Sequence, residues 1–360
     1  YQTSGINQLA LYAFSHQMEL IGGHRFTALP RICIGRGITM KRFKNILVIH
    51  DNAIGGEDAL GQAVALAREN AARLTIAAVL REEQPETLIA NETRKRLTRL
   101  VTSLRQDGLE DVGSAILTGI PFLEITRRVI REGHDLVITS AEAGKVLRDV
   151  FFGSTATHLM RKCPCPVWVV KPAQPVPYRQ ILAAVDTKPS DTDDHLNVKI
   201  MDLATSLASR DHATLHIVHA WDVEGGDADT VRSEISPHQR QVLVSQHKRN
   251  HHGALKDLLA RYPMTDIDYQ VHLPRDLPER AICNLVKREK IDLIVMGTVV
   301  RTGIPGFFIG NAAESVLGSV KCSMLTVKPD GFKSPVLVPH TVAGGAEGPE
   351  SARDPMRQSA

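Results

Sequence analysis

One stretch of this 360-residue sequence combines residue types that could bind an anion. A short apolar run, Leu293 to Met296, is followed by Gly297 and, after an irregular segment, by Gly310, Asn311 and Glu314. The apolar run predicts a buried strand, and Asn311 with Glu314 three residues later predicts a helix N-cap with a capping box. A helix that begins above a strand end points free backbone N–H groups at that position, where they can bind a phosphate or a carboxylate.

The same stretch occurs twice in the sequence. Three landmarks recur at a constant offset of 157 residues. An Asp opens an apolar run at Asp135 and Asp292, a Gly precedes a helix at Gly153 and Gly310, and a Cys precedes a final apolar run at Cys165 and Cys322. A constant offset across separate landmarks indicates internal duplication. The chain is therefore predicted to contain two copies of one structural unit.

Strands and helices are predicted to alternate through both units. In the first unit, apolar runs near residues 46–51, 74–80, 115–117, 135–139 and 167–170 are separated by helical periodicities. The second unit begins again at Ile181 and follows the same order. Strands that are apolar throughout and joined by helices are typical of a parallel sheet covered on both faces. The predicted fold class is α/β, with two tandem, doubly wound, five-stranded parallel sheet domains of Rossmann-like type.

Five segments are predicted along the chain. Residues 1–42 show no clear period and are predicted to be a poorly ordered N-terminal extension. Domain 1 is predicted at 43–172, a stiff proline-rich linker at 173–178, and domain 2 at 179–329. Residues 330–360 are rich in Gly, Pro and Ser and are predicted to be a disordered C-terminal tail.

Composition argues against several classes of protein. The net charge is +3 with both signs interspersed, which predicts neither a nucleic-acid partner nor a membrane partner. No run approaches the roughly 18 apolar residues of a membrane helix. Five cysteines in a chain of this length favour a reducing, cytoplasmic location over a disulfide framework. Cys163 and Cys165 are interpreted as structural, since Cys165 precedes a predicted core strand.

No residues are predicted to be catalytic, and none to bind a metal. The sequence lacks the G-x-S-x-G, H-E-x-x-H and P-loop motifs. His247 and His251 are one helical turn apart, a spacing compatible with a metal. No third ligand is evident in the sequence, and we interpret the two residues as an exposed histidine pair.

The repeated motifs resemble the universal stress protein family, whose fold is of the adenine nucleotide α hydrolase-like type. They are a strand-end Asp, the runs Asp135-Leu-Val-Ile and Asp292-Leu-Ile-Val, the helix start Gly153-Ser and the segment Cys165-Pro-Val. The arrangement is most similar to the tandem-domain, UspE-like type and covers about residues 43–330. The resemblance implies a cytosolic, non-catalytic stress-response factor that requires no cofactor.

The resemblance also implies how the two units assemble. In such families the last strand pairs across a dimer axis, which here would join the strands at 167–170 and 324–327. The two domains would then pack as an intrachain pseudo-dimer, and a homodimer of the whole chain is a further assembly. An exposed apolar edge strand on an isolated unit would favour aggregation, and the sister unit would cover it.

Nucleotide-binding members of this family carry the pattern G-x2-G-x9-G-[ST] between the fourth strand and the last helix. In domain 2 the pattern falls on Gly297, Val300, Gly310 and Asn311, so two of its four positions differ. The branched side chain of Val300 resists positive φ and crowds the phosphate path. In domain 1 the pattern keeps its last two positions and loses its first two, falling on Ser140, Ala143, Gly153 and Ser154.

By the same resemblance, a nucleotide such as ATP would bind at the crossover point of the sheet in domain 2. The strand-end Asp186 would face the ribose or base, Val218 would line an adenine pocket, and the loop and helix start would surround the phosphates: Met296, Gly297, Arg301, Gly310, Asn311 and Ala312. A weaker site in domain 1 would comprise Asp51, Gly153 and Ser154.

A structural role could account for the same residues without a ligand. Asp51 and Asp186 would then cap strand ends, the glycines would form tight turns, and Arg301 would be a solvated loop residue. Two alternative functions remain open: an ATP-binding protein or slow ATPase that uses the altered loop, and a binder of a non-nucleotide metabolite in the same crevice.

Overall fold

The structure is a computed structural model, and it describes residues 43–50, 56–80, 88–141, 152–172, 176–187, 195–222, 236–298 and 310–338. Several predictions therefore lie outside the described residues: those for the N-terminal extension, for Asp51, Val300 and Arg301, and for the chain after residue 338.

The first half alternates five strands with four helices among its described residues. Its elements are β1 (Asn45–Ile49), α1 (Gly56–Asn70), β2 (Arg73–Leu80), α2 (Leu88–Gln106), β3 (Val112–Thr118), α3 (Pro121–Glu132), β4 (Leu136–Ser140), α4 (Gly153–Lys162) and β5 (Val167–Val170). The second half repeats this order with β6 (Gln180–Ala184), α5 (His195–Asp211), β7 (Thr214–Val218), α6 (Pro237–Leu259), β8 (Tyr269–His272), α7 (Pro278–Glu289), β9 (Leu293–Gly297), α8 (Asn311–Ser319) and β10 (Ser323–Val327).

All ten strands join in one sheet, in the order β3-β2-β1-β4-β5-β10-β9-β6-β7-β8. Within each half the neighbouring strands are parallel. The chain crosses over between β1 and β4 in the first half and between β6 and β9 in the second. The predicted fold class of two doubly wound, five-stranded parallel sheets is confirmed.

The two halves meet where β5 pairs with β10 in antiparallel orientation. Trp168 lies opposite Leu325, and Thr326 lies opposite Val167. The Thr326 hydroxyl also donates a hydrogen bond of 3.2 Å to the Val167 carbonyl. The predicted pairing of the two last strands is confirmed. Because the pairing is antiparallel, the carboxyl ends of the strands of the two halves lie at opposite edges of the combined sheet.

Helices cover both faces of the sheet and bury two continuous apolar layers. One layer joins the strands to α1, α2, α5 and α6, with Leu66 and Leu207 as examples. The other joins them to α3, α4, α7 and α8, with Leu159 and Val316 as examples. Each fully buried side chain of this size contributes about 1.5–3 kcal/mol relative to an exposed one. No helix among the described residues is long and apolar enough to cross a membrane.

Equivalent residues begin and end helices α3 and α7. Pro121 and Pro278 occupy the first turn, where the missing N–H is no loss and the fixed φ suits the helix. Gly133 and Lys290 then take left-handed conformations, at φ 65° and 52°, and their N–H groups bond back to the last turn. These ends turn the chain directly into β4 and β9.

Aromatic and charged side chains fasten the junction between the halves. Trp168 of β5 is fully buried, with its ring 6.1 Å from that of Tyr178. The Arg210 guanidinium lies 5.7 Å from the Trp168 ring and pairs with Asp211 at 2.6 Å. The Asp211 carboxylate in turn accepts a 3.0 Å hydrogen bond from the Tyr178 N–H. The first residues of domain 2 are thus held against the last strand of domain 1.

The chain after β10 returns from domain 2 to domain 1. Asp330 pairs with Lys199 of α5 at 2.5 Å, and the Arg127 side chain of α3 donates a 3.1 Å hydrogen bond to the Leu337 carbonyl. Val336 is buried. The prediction of a disordered tail from residue 330 onward does not hold for residues 330–338, because contacts with both domains order them.

Candidate functional site

The crossover point of domain 2 brings together several residues of the predicted site. Ala184 of β6 pairs with Met296 of β9, so Asp186 and Thr298 leave the sheet side by side. Gly310 joins them, since its N–H donates a 3.2 Å hydrogen bond to the Thr298 carbonyl. Crevices for ligands in parallel α/β sheets lie at such crossover points, beyond the carboxyl ends of the strands.

The backbone of Asp186 is held by a side chain that sequence reasoning missed. Asn197 of α5 accepts a 2.9 Å hydrogen bond from the Asp186 N–H and donates one of 2.8 Å to the Asp186 carbonyl. Asn197 is 1% exposed, whereas Asp186 is exposed. This double contact orients the residue and leaves its carboxylate facing solvent at the crevice.

The loop between β9 and α8 has its two ends joined. The Thr298 carbonyl accepts the Gly310 N–H, and the Thr298 N–H contacts the Val327 carbonyl of β10 at 3.4 Å. A Cβ on Gly297 would lie 2.8 Å from a methyl group of Leu196 in α5, so an added side chain would require that methyl group to shift. Arg301 lies between these ends, outside the described residues.

The helix start differs from the prediction. Gly310, and not Asn311, is the N-cap of α8, with φ −63° and ψ 145°, and no side chain caps the helix. Asn311 is already the first helical residue, so its amide cannot form the predicted capping box. The Glu314 carboxylate instead pairs with the Arg161 guanidinium of α4 in domain 1. The predicted capping box is wrong.

The remaining predicted residues of domain 2 are less accessible. Val218 and Met296 are 2% and 5% exposed and belong to the apolar layer beneath α7 and α8. Ala312 is half-buried in the first turn of α8. Val218 and Met296 therefore support the base of the crevice from within the core.

Domain 1 presents a different surface at the equivalent helix start. Gly153 is the first residue of α4 at φ 73°, a left-handed conformation that favours glycine, and Ser154 is exposed. A groove of about 400 Å³ adjoins them between α4 and α8. The groove is lined by Phe152, Gly153, Ser154, Thr157, His158, Arg161, Glu314, Leu317 and Gly318.

A buried lysine at the loop of domain 2 was also missed by the sequence analysis. Lys328 is 4% exposed, and its ammonium group donates to the Met160 carbonyl of α4 at 2.5 Å and to the Thr298 hydroxyl. Burial lowers the pKa of Lys328 to about 7. Lys171, its counterpart in the duplicated sequence, lies 4.0 Å from the Phe152 ring, and burial lowers its pKa to about 8. The repeated Val-Lys-Pro sequence was the signal for both.

Histidines form a second unpredicted feature next to the crevice. His219 follows β7, is 1% exposed, and its Nε2 lies 2.9 Å from Nδ1 of His251 in α6. Burial lowers the pKa of His219 to about 4, although the Asp186 carboxylate acts in the opposite direction. The Trp221 ring stacks on His251 at 5.8 Å. Both His247 and His251 are half-buried, so the interpretation of the two residues as an exposed pair is wrong.

The sequence matches one family model twice. Residues 42–171 and 177–328 each match the model described as "Universal stress protein family". Universal stress protein E of Escherichia coli strain K12 is 30% identical over 314 residues, which cover 82% of this chain and 98% of that protein.

Solved structures show the same fold over a similar length. A protein of unknown function from Pseudomonas aeruginosa PAO1 superposes with a TM-score of 0.65 and 24% identity, covering 82% of this chain and 96% of that chain. A universal stress protein from Archaeoglobus fulgidus DSM 4304 gives a TM-score of 0.52 at 15% identity, covering 80% and 99% respectively.

Proposed function

Because this chain belongs to the universal stress protein family, in its tandem, UspE-like form, we propose that it is a stress-response protein that acts by binding a ligand rather than by catalysis. The β5–β10 pairing carries this proposal, since it fuses two family domains into one sheet. Such a molecule has two crevices at opposite edges, and a change at one can be transmitted through a shared core.

The ligand site proposed is the crevice of domain 2, with Asp186, Gly297, Gly310 and Asn311 as its described residues. Arg301, which lies outside the described residues, is proposed as a further contact. Three features support this site: the exposed and oriented Asp186, the loop joined at Thr298 and Gly310, and the helix N-terminus that begins there. Backbone N–H groups at a helix N-terminus favour an anion, so the ligand class is a small anionic molecule, with ATP as the first candidate.

Gly310→Asp tests this site. The N-cap conformation of Gly310 suits aspartate, which commonly caps helices, so the fold should be retained. A carboxylate there would repel a bound phosphate, and we expect the stabilisation of the chain by millimolar ATP to be lost. The measurement is a thermal shift with ATP, AMP and a panel of anionic metabolites.

Ser154→Asp is the matched control, because Ser154 is the exposed counterpart of Asn311 at the α4 start in domain 1. If the ligand binds in domain 2, Ser154→Asp should leave the ligand response unchanged, whereas a loss in this variant alone would place the ligand at the weaker site of domain 1. An equal loss in both variants, or an unchanged response in Gly310→Asp, would place the ligand elsewhere. Sustained phosphate release from ATP that Gly310→Asp abolishes would contradict the non-catalytic role.

The stress role is tested in a bacterial strain that lacks its own tandem universal stress protein. We expect the full chain to restore survival under the stress to which that strain is sensitive, and either half alone to fail because each leaves its last strand unpaired. Restoration by one half alone would contradict the need for the tandem arrangement.

A further inference from the structure

The hydrogen bonds around His219 determine which nitrogen of His251 carries a proton. His219 Nδ1 lies 3.3 Å from the Val185 carbonyl, which can only accept, so the proton of the neutral His219 ring is on Nδ1. His219 Nε2 is then an acceptor, and the contact at 2.9 Å requires His251 Nδ1 to donate.

This arrangement leaves the other nitrogen of His251 without a proton and with a free lone pair. Within the described part of the chain, His251 Nε2 has no hydrogen-bond partner. Histidines that bind metals are oriented in the same way, by donating one ring N–H to a fixed acceptor while the other nitrogen binds the ion. The stacked Trp221 ring further restricts the His251 ring.

His247 supplies a second imidazole on the same side of α6. It lies one turn before His251, where Cβ atoms are about 5–6 Å apart. Both residues are half-buried, whereas Lys248, Arg249 and Asn250 between them are exposed. Residues four apart on a helix lie on the same face, so the two imidazoles share one face of α6.

The N-terminal half of α6 projects beyond the sheet. The helix has 23 residues, and its fully buried residues are confined to its last turns, at Leu255, Leu258 and Leu259. At about 1.5 Å per residue it is roughly 35 Å long, about twice the length of a five-residue strand. The two imidazoles are therefore accessible from solvent above the carboxyl edge of domain 2.

We propose that His247 and His251 bind a divalent transition-metal ion such as Zn²⁺, Ni²⁺ or Cu²⁺, and that His219 positions His251. Imidazole nitrogen suits these ions. No cluster of three or more His, Cys, Asp or Glu residues able to hold a metal occurs among the described residues, so solvent would complete the coordination. The two proposed metal ligands lie on α6 and are not among the residues of the proposed anion site, although His219 lies beside Asp186 of that site.

Calorimetric titration of the untagged full chain with Ni²⁺ tests the proposal. We expect saturable binding at one site whose affinity falls at least tenfold in His247→Gln and in His251→Gln. His252→Gln is the matched control, because His252 is half-buried on the same helix but lies outside the pair, and its affinity should stay within twofold of the wild type. Equal affinity in all four proteins, or no saturable binding in the wild type, would overturn the site.

Two further variants separate positioning from a general loss of structure. His219→Phe removes the acceptor for His251 and should weaken binding 10–100-fold, the usual effect of losing such a partner. His219→Gln keeps an acceptor and should recover much of the affinity. Similar weakening in both variants would mean that His219 is merely structural.

Trp221 provides an independent optical signal. Its ring stacks on His251, so bound Cu²⁺ should quench its fluorescence, and the quenching should disappear in Trp221→Phe and in His251→Gln. The other tryptophan, Trp168, lies at the junction of the domains and serves as the internal reference. Quenching that persists in His251→Gln would contradict a metal at this residue.

Discussion

Histidines occupy positions in the sheet of domain 2 where domain 1 has small residues. His216 lies at the strand position that corresponds to Thr75 in domain 1, since Leu182 and Leu47 are their partners. His216 Nδ1 lies 3.1 Å from His272 Nε2, and His216 Nε2 lies 2.7 Å from Gln180. Domain 2 thus contains two histidine pairs within or beside its sheet, each suited to neutral rings.

These pairs predict that acid destabilises domain 2. Burial lowers the pKa values of His219 and His272 to about 4, whereas each titrates near 6.5 in the unfolded chain. Between these values the unfolded chain binds more protons, so the free energy of unfolding falls as pH decreases from about 6.5 towards 4. The stability that the neutral rings provide is fully present above about pH 6.5. For His219, the free energy of unfolding falls by roughly 2–3 kcal/mol as the pH decreases to about 4.

Urea unfolding at pH 7.5 and 4.5 measures the effect, with His216→Thr and His219→Ala as comparisons. The groups that face these rings are Asp186 and His251 around His219, and Arg288 and Glu289 around His216 and His272. We expect both variants to lose less stability than the wild type between the two pH values. An equal loss in all three proteins would assign the acid sensitivity to other groups.

The buried lysines predict that stability also rises with pH on the alkaline side. Burial lowers the pKa of Lys328 to about 7 from its ordinary value near 10.5, so the unfolded chain binds more protons between these values. The free energy of unfolding should therefore rise from pH 7 to pH 9, by about 1–3 kcal/mol, and Lys328→Met should abolish most of that rise.

Lys171→Met is the matched comparison for this prediction. Burial lowers the pKa of Lys171 to about 8, so most of its contribution arises at higher pH than that of Lys328. Between about pH 7 and 9, we therefore expect Lys171→Met to remove less of the rise in the free energy of unfolding than Lys328→Met does. Chemical unfolding measures both. A larger effect of Lys171→Met than of Lys328→Met would contradict the order of the two pKa values.

At the level of elements, the duplicated helices α4 and α8 begin in different ways. Gly153 takes φ 73°, whereas Gly310 takes φ −63° and ψ 145°. The conformation of Gly310 resembles that of Ser236, the N-cap of α6, at φ −64° and ψ 156°. The left-handed backbone at position 153 therefore favours glycine, whereas the backbone at position 310 is one that other residues adopt.

Serine substitutions should distinguish these two positions. Gly153→Ser places a side chain in a left-handed conformation and should cost about 1–2 kcal/mol. Gly310→Ser should be neutral or stabilise the protein by a few tenths of a kcal/mol, because Ser236 already caps α6 from the same conformation. Thermal unfolding of both variants measures the difference, and a larger loss from Gly310→Ser would contradict it.

At the level of the whole molecule, the pairing of β5 with β10 predicts how the halves behave apart. Residues 43–172 alone would expose the edge of β5, whose four residues are all buried in the chain. We expect this half to form dimers or aggregates, and to form a one-to-one complex when mixed with residues 177–338. Size-exclusion chromatography with light scattering measures both outcomes. A monomeric half that ignores its partner would contradict a shared sheet as the basis of the tandem.

Local periodicity predicted most of the fold because it depends on residues close in sequence. Apolar runs and helical spacing placed the strand Val167–Val170 correctly, and placed β9 and β10 within one residue of their ends. The N-cap of α8 was misplaced by one residue, since Asn311 has a suitable side chain while Gly310 has the suitable backbone conformation. Side-chain preference and backbone conformation compete at such boundaries, and spacing does not decide between them.

The candidate site was predicted in part. The resemblance selected Asp186, Gly297 and Gly310, which the crossover of the sheet brings together. Asn197 and Lys328 were not found, because each acts through a contact with another element, Asn197 with Asp186 after β6 and Lys328 with Met160 of α4. Nothing in their immediate sequence specifies that contact.

The sequence by itself determined the order of elements, the duplication and the family, because each depends on short-range patterns and on a constant offset along one chain. The tertiary structure alone decided which side chains meet across the fold. Lys328 reaches Met160 across 168 residues, and His219 meets His251 across 32. Such contacts depend on how helices and strands pack in space, and the spacing of residues along the chain does not specify that packing.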